Sequence, residues 1–408
     1  MNFFIAVTLY EVSMKTHSIL SKSIAIFLSL ALSLTSFMCV IFSEESESSQ
    51  VSLNLEFDCK SVVLMEEKTG KILFEQNADE ALPPASVTKI MTLLLVMEAI
   101  DEGRLKLDDM ITASAHACSM GGSQIYLKEG EQMSAEDMIK SVVIASANDA
   151  AVALAEHLEG SEEAFVQKMN EKAQMLEMKN TNFENTNGLD DTAKNHATSA
   201  RDIAIMSREL LKHEKITEYS SIWMDTIRNG EFGLTNTNRL VRFYKGATGL
   251  KTGSTSKAGF CISATAKRGE MELICVVMAA PTRDIRNQIA TTVLDWGFSN
   301  YALYENQGET IKDLKISGGK TQNIDAYYND FACVVEKSEL GKIERKIELP
   351  KEITAPIKKD DSIGKIIYRI GENEIGYSEI YSCHTVDKTD FWNLFLKMLS
   401  RMVLCCQY

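Results

Sequence analysis

The stretch Pro83-Pro84-Ala85-Ser86-Val87-Thr88-Lys89-Ile90-Met91-Thr92-Leu93-Leu94-Leu95 decides how the rest of the chain is read. Ser86 and Lys89 stand three residues apart, so on a helix they share one face and their side chains can meet. The apolar run from Ile90 to Ile100 sinks such a helix into a core. A serine hydroxyl is a poor nucleophile without a base. A lysine serves as that base only when burial or a nearby cation lowers its pKa. The apolar helix supplies the burial, and its N-terminus turns free N–H groups towards developing negative charge. Taken alone, the same spacing also describes an ordinary surface helix start.

Two later stretches give the pair its weight. Ser146-Ala147-Asn148 follows sixty residues after Ser86, and Lys251-Thr252-Gly253 follows 165 residues after it. Together they read as parts of one site. Ser146 would relay a proton to a leaving amine, since a hydroxyl both accepts and donates. Asn148 offers its amide to a substrate carbonyl and to Lys89. Lys251 is a cation for a substrate carboxylate and for lowering the pKa of Lys89, and Thr252 adds a hydroxyl to the same carboxylate. Gly253 lets substrate backbone lie close to a strand. The N–H groups of Ser86 and Ser254 would form an oxyanion hole. Arg286 either meets the carboxylate or is a solvated helix charge. A second Lys-Thr-Gly, at Lys68-Thr69-Gly70, precedes Ser86 in a predicted hairpin turn and is assigned to structure.

Composition narrows the field. A net charge of −14 argues against a nucleic-acid partner. Apolar content of 45% is ordinary for a globular chain, and 408 residues allow two domains. The cysteines Cys59, Cys118, Cys261, Cys275, Cys333 and Cys383 show no regular spacing and fall mostly in apolar runs. They read as free thiols rather than a disulfide framework or a metal site. The histidines form no H-E-x-x-H, and nothing in the pattern calls for a metal or cofactor.

The organisation follows in chain order. Residues 1–43 have the layout of an export signal: Lys15 and Lys22, the apolar run Ile24 to Phe42, then acidic Glu44-Glu45. Met14 is an alternative start, and the apolar run also fits an uncleaved anchor. Ser61 to Gln76 predicts a hairpin. Ser134 opens a helix before Met138 to Ile144, Ser161 to Met178 is amphipathic, and Thr198-Ser199 caps a helix to Leu211. Two strands, Phe260 to Ala266 and Met271 to Ala279, follow Lys251-Thr252-Gly253-Ser254, and Thr282 to Gly297 predicts a helix. Helices between an N-terminal hairpin and later strands predict an α+β domain over 51–302, with helices on an antiparallel sheet. Residues 303–386 break into short strand-like pieces between polar turns and predict a small, sandwich-like all-β domain. Residues 387–408 carry Phe391, Trp392, Leu394, Phe395, Leu396, Met398, Leu399, Met402 and Val403 over a wide helical arc, opposite Asn393, Lys397, Ser400 and Arg401. This tail reads as an amphipathic helix at a membrane surface, or as one packed on the β domain or a partner.

These motifs resemble those of the serine-type D-alanyl-D-alanine carboxypeptidases, the low-molecular-mass penicillin-binding proteins. The resemblance also rests on Pro84-Ala85-Ser86-Val87-Thr88-Lys89-Ile90-Met91-Thr92, Asn187-Gly188-Leu189, Ser199-Ala200-Arg201-Asp202 and Gly249-Leu250-Lys251-Thr252-Gly253. It covers the chain from about Val51 to the end. It implies a β-lactamase/transpeptidase-like catalytic domain on the outer face of the bacterial cytoplasmic membrane. It further implies removal of the terminal D-Ala from peptidoglycan pentapeptide stems through an acyl-Ser86 intermediate, and acylation by β-lactams. A class A β-lactamase on the same fold needs a glutamate for deacylation. Glu184 lies near the expected place, but its context Glu184-Asn185-Thr186-Asn187 does not match E-x-x-L-N, and the middle motif is Ser-Ala-Asn. A membrane-bound β-lactam sensor would need several spanning helices, and a single apolar leader exists here.

Overall fold

The computed structural model describes residues 56–189, 193–392, 394–396 and 398–399. The proposed leader therefore lies outside the described residues, as do Lys397, Arg401 and the rest of the tail to Tyr408. Among the described residues no helix is long and apolar enough to cross a membrane.

The predicted hairpin forms from β1 (Ser61–Glu66) and β2 (Ile72–Gln76), with Gly70 at φ +71° in its turn. Two short ribbons come next, β3 (Met110–Thr112) with β4 (Gln132–Ser134) and β5 (Met224–Ile227) with β6 (Phe232–Thr235). The main sheet is completed by β7 (Ala247–Thr255), β8 (Gly259–Arg268) and β9 (Met271–Ala280). Its order is β2-β1-β9-β8-β7, with every neighbouring pair antiparallel. The chain thus carries Lys251-Thr252-Gly253 inside a nine-residue edge strand, not merely in front of the strands.

Both faces of this sheet are covered, and the strand period shows how. In β1, Val62 and Leu64 face one side, where they pack with Ile262, Leu273 and Val277 against Ile289, Val293 and Leu294 of helix Arg283–Asn300. Val63 and Met65 face the other side, against the larger cluster built by Ile90, Met91 and Leu94 of helix Lys89–Asp101 and Ile203 of helix Ala200–Leu211. With helices on both faces, every residue of β1 is buried. A strand buried on both sides reads as an unbroken apolar run rather than an alternation.

The helix ends follow local side-chain chemistry. Ser134 Oγ accepts from the Asp137 N–H, Ser161 Oγ from Ala164 and Ser199 Oγ from Asp202, each at the start of a helix. Glu136 and Glu162 add negative charge to their first turns. Between helices Ala135–Ile144 and Asn148–Glu159, Ser146 takes a left-handed φ of +63°.

From Tyr301 onward the chain is mostly strand. A two-stranded ribbon (Tyr301–Asn306 with Phe331–Glu336) lies beside a six-stranded sheet. The sheet core holds Ile324, Ile366, Tyr368 and Ile380, and Tyr368 stacks on Phe331 with centroids 3.9 Å apart. Lys68, assigned above to a hairpin turn, pairs with Glu305 of the two-stranded ribbon, so it ties the β1–β2 hairpin to the C-terminal strands. Among the described residues from Phe391 to Leu399, seven large apolar side chains are exposed, Phe391 at 73% and Trp392 at 69%. The described cysteines are all free thiols.

Candidate active site

Ser86 does not sit on a regular α-helical turn. Pro83-Pro84 leads into a 3-10 turn, Ala85–Thr88, and the α-helix starts at Lys89. Ala85 takes φ +49°, a strained value for a residue with a Cβ. The tight turn still brings Lys89 Nζ to 3.0 Å from Ser86 Oγ.

Lys89 is completely buried, and its surroundings assign its hydrogens. Nζ lies 2.5 Å from Asn148 Oδ1 and 2.8 Å from the Asn187 carbonyl oxygen. Both are acceptors only, so each takes an N–H. In the uncharged amine this leaves the lone pair for Ser86 Oγ. Burial, first, and the charge of Lys251, second, hold Lys89 well below the usual lysine range, with Asp149 opposing. The Asn187 carbonyl is a partner that the sequence reading missed. No side-chain pattern marks a backbone oxygen, although Gly188 does signal the close approach.

Lys251 Nζ donates to Ser146 Oγ at 2.8 Å and to the Thr252 carbonyl at 3.0 Å. Burial, with a smaller contribution from Arg286, pushes its pKa down to about 7. Thr252 Oγ1 donates to Thr237 Oγ1 at 2.8 Å. Asn148 Nδ2 donates to the Gly121 carbonyl at 2.7 Å, which orients the amide so that its oxygen faces Lys89.

These groups surround one cleft of about 700 Å³. Ser86, Ser146, Thr252, Gly253, Ser254 and Arg286 line it; Lys89, Asn148 and Lys251 stand directly behind. Arg286 is not a solvated helix charge. It is 2% exposed and donates to the Cys261 carbonyl at 3.3 Å and to Asn287 Oδ1. Burial and Arg283 push its pKa down to about 10. Trp223, Asn236, Arg239 and Phe243 form a further wall that the sequence reading did not include.

Gly253 also has a different reason from the one expected. A Cβ there would stand 2.8 Å from Ser86 N and 2.9 Å from Val87 N. The glycine lets β7 press against the protein's own Ser86 turn. Gly188 is tighter still, since a Cβ would lie 1.8 Å from the Ala85 oxygen and its φ is +84°. Gly188→Ala is therefore expected to destabilise the fold by more than the about 1–2 kcal/mol of a left-handed residue alone. Urea unfolding checks this, and unchanged stability would mean that the loop has other room.

A half-buried serine beside a buried amine, facing a sheet edge that carries a second buried lysine, defines the serine-acylating class of penicillin-binding enzymes. Comparisons agree. Residues 45–282 match the family described as D-alanyl-D-alanine carboxypeptidase, and residues 298–388 match the penicillin-binding protein 5 C-terminal domain. The chain is 42% identical over 344 residues to D-alanyl-D-alanine carboxypeptidase DacF of Bacillus subtilis, covering 83% of this chain and 88% of that one. Penicillin-binding protein 5 of Haemophilus influenzae superposes with a TM-score of 0.74 at 30% identity, over 83% of this chain and all of that one. Penicillin-binding protein D2 of Listeria monocytogenes, solved in its ampicillin-bound form, gives a TM-score of 0.56 at 32% identity, over 60% of this chain and all of that one. The chain belongs to the D-alanyl-D-alanine carboxypeptidases, serine-type hydrolases with a C-terminal all-β domain.

Proposed function

We propose that Ser86 Oγ attacks the carbonyl carbon of the penultimate D-Ala in a peptidoglycan pentapeptide stem. Lys89 Nζ takes the hydroxyl proton as the Oγ–C bond forms. The single observation that carries this reading is the environment of Lys89, with two acceptors engaged and the third direction facing Ser86 Oγ. The backbone N–H groups of Ser86 and Ser254 hold the oxyanion. Ser146 passes its proton to the departing D-Ala nitrogen as the C–N bond breaks, and the proton that Lys89 took from Ser86 replaces it. Lys251, Thr252, Ser254 and Arg286 offer charge and hydroxyl to the terminal carboxylate, and Asn148 positions Lys89. Water then hydrolyses the acyl-Ser86 ester. The open edge of β7 suits an extended peptide lying beside it.

β-Lactams carry a reactive amide and a carboxylate in similar relation, so the same steps acylate Ser86. The test is twofold: release of free D-Ala from a soluble pentapeptide, and a penicillin adduct whose mass maps to the Ser86 peptide. Absence of D-Ala release, with penicillin still bound covalently, would make the protein a sensor or a transpeptidase instead.

The chain is exported by residues 1–43 and rests on the membrane surface through its tail. The support is the row of exposed apolar side chains from Phe391 to Leu399. Each such side chain gains about 1.5–3 kcal/mol on full burial. An interfacial helix buries them at headgroup level. Truncation before Asp390 is expected to move the processed enzyme to the soluble fraction with turnover of soluble peptide intact. Retention in the membrane fraction would assign the anchor to the leader or the β domain. A soluble but inactive protein would make the tail part of the fold.

A further inference from the structure

We infer that His196, acting through Thr88, is a positioning residue that sets the direction of the Ser86 backbone N–H. The inference rests on the reading of that N–H as an oxyanion donor. His196 is buried at 6% exposure, and Thr88 is fully buried. The Glu184 N–H donates to His196 Nδ1 at 2.9 Å, so this nitrogen carries no proton. His196 Nε2–H then donates to Thr88 Oγ1 at 2.7 Å. The Thr88 hydroxyl, having accepted, gives its one proton to the Ala85 carbonyl at 2.8 Å.

The chain ends on the peptide unit that joins Ala85 to Ser86. That unit is trans, so its C=O and N–H point in opposite directions within one plane. Fixing the Ala85 oxygen therefore fixes the Ser86 N–H. The oxygen is held from two sides, by the Thr88 hydroxyl and by the close approach of Gly188. The nitrogen end lies against Gly253 of β7, at the cleft wall. The strained φ of Ala85 is what the turn adopts to present the plane in this way, and it persists because its surroundings hold it.

His196 also holds the opposite wall. Its bond from the Glu184 N–H anchors the segment that carries Asn187, whose carbonyl receives Lys89 Nζ. Its ring packs edge-on against Phe183, with centroids 5.7 Å apart. One imidazole thus ties the oxyanion side of Ser86 to the base side. Neither His196 nor Thr88 lines the cleft.

The experiment measures acylation of the full chain by a fluorescent penicillin in stopped flow. It separates the first-order acylation constant from the preceding non-covalent dissociation constant. His196→Phe keeps a ring beside Phe183 but loses both hydrogen bonds, and Thr88→Val keeps the volume but loses the hydroxyl. Each is expected to slow the acylation constant by about tenfold to a hundredfold, less than outright loss of an oxyanion donor. The dissociation constant should stay within about twofold. Thr88→Ser restores the relay and should recover most of the rate, as should His196→Gln, whose amide can still donate to Thr88. The double variant His196→Phe/Thr88→Val should be no slower than the slower single variant, because both break one chain. Unchanged acylation in folded Thr88→Val, a loss confined to the dissociation constant, or additive losses would each overturn the inference. Should His196→Phe fail to fold, the Thr88→Val and Thr88→Ser pair decides by itself. If the parent enzyme forms no Ser86 adduct, the underlying reading fails. If it does and the variants match it, only the inference about His196 fails.

Discussion

Ser86→Ala is expected to abolish D-Ala release and to leave no covalent penicillin adduct, with turnover down by about four to six orders of magnitude. The magnitude reflects the atom that is removed. Without Oγ there is no atom for the acyl group to occupy, and the remaining donors can only bind the substrate and polarise its carbonyl. Lys89→Met should lose activity on the same scale, and the double variant should be no worse, since the proposed nucleophile and base act as one unit. Stability separates the two. Ser86 is half-buried at the cleft wall, so its truncation should leave the urea midpoint nearly unchanged. Lys89→Met removes a buried amine that serves Asn148 Oδ1 and the Asn187 carbonyl. Each acceptor left without a donor costs about 1–3 kcal/mol, so Lys89→Met should unfold at clearly lower urea. A penicillin adduct persisting in Ser86→Ala would assign the nucleophile elsewhere. Equal stability of the two variants would mean that Lys89 is not the hydrogen-bonded centre described here.

The legible parts of this protein were those in which side-chain type and spacing carry the physics. Ser86 and Lys89 meet because three residues bring side chains together on either a 3-10 or an α-helical turn, so the error in turn type cost nothing. Ser134 and Ser199 announced their helices because capping is a local hydrogen bond. The hairpin at Lys68-Thr69-Gly70 was separable from Lys251-Thr252-Gly253 because its glycine needs a left-handed turn, whereas Gly253 does not. Other features live on the backbone and are silent in sequence. The Asn187 carbonyl, the Ala85–Ser86 peptide plane and the left-handed Ser146 are set by tertiary packing. The extent of strand β7 was not predicted, because Ala247 to Thr255 contains two glycines and little apolar alternation. It is held by pairing with β8 rather than by its own propensity. His196 drew no reading of its own, because no motif in the sequence singles it out. Arg286 left two readings open because a helix start gives no information about which wall it faces.

Lys251→Met is expected to cut acylation efficiency by about two to three orders of magnitude and to move the acid limb of its pH profile upward. Methionine matches the length of lysine and is apolar, so it can occupy the same buried channel. Two losses combine. Ser146 Oγ loses the donor at 2.8 Å, and a substrate carboxylate loses a charge-assisted partner. At about 1–3 kcal/mol for each, and about 1.4 kcal/mol per factor of ten, the product spans that range. The pH effect has a definite sign. In the proposed mechanism Lys89 must be uncharged to accept the proton from Ser86. Burial lowers its pKa first, and the positive charge of Lys251 lowers it further. Without that charge the protonated form of Lys89 is easier to keep, its pKa rises, and a higher pH is needed to free the base. The loss measured at pH 6 should therefore exceed the loss at pH 9. Lys251 itself titrates at about 7, so its influence on Lys89 is greatest below that pH, on the acid side where the limb is read. Lys68→Ala is the control, because its Lys-Thr-Gly is identical in letters. Lys68 is half exposed and pairs with Glu305, away from the cleft, so turnover should stay within about twofold. The measurement is the second-order acylation constant of all three proteins between pH 5.5 and 9.5, in the range of buffers suited to the ionisations involved. A limb that stays in place in Lys251→Met would mean that burial alone keeps Lys89 uncharged. Equal losses in the Lys68 and Lys251 variants would reverse the assignment of the two motifs.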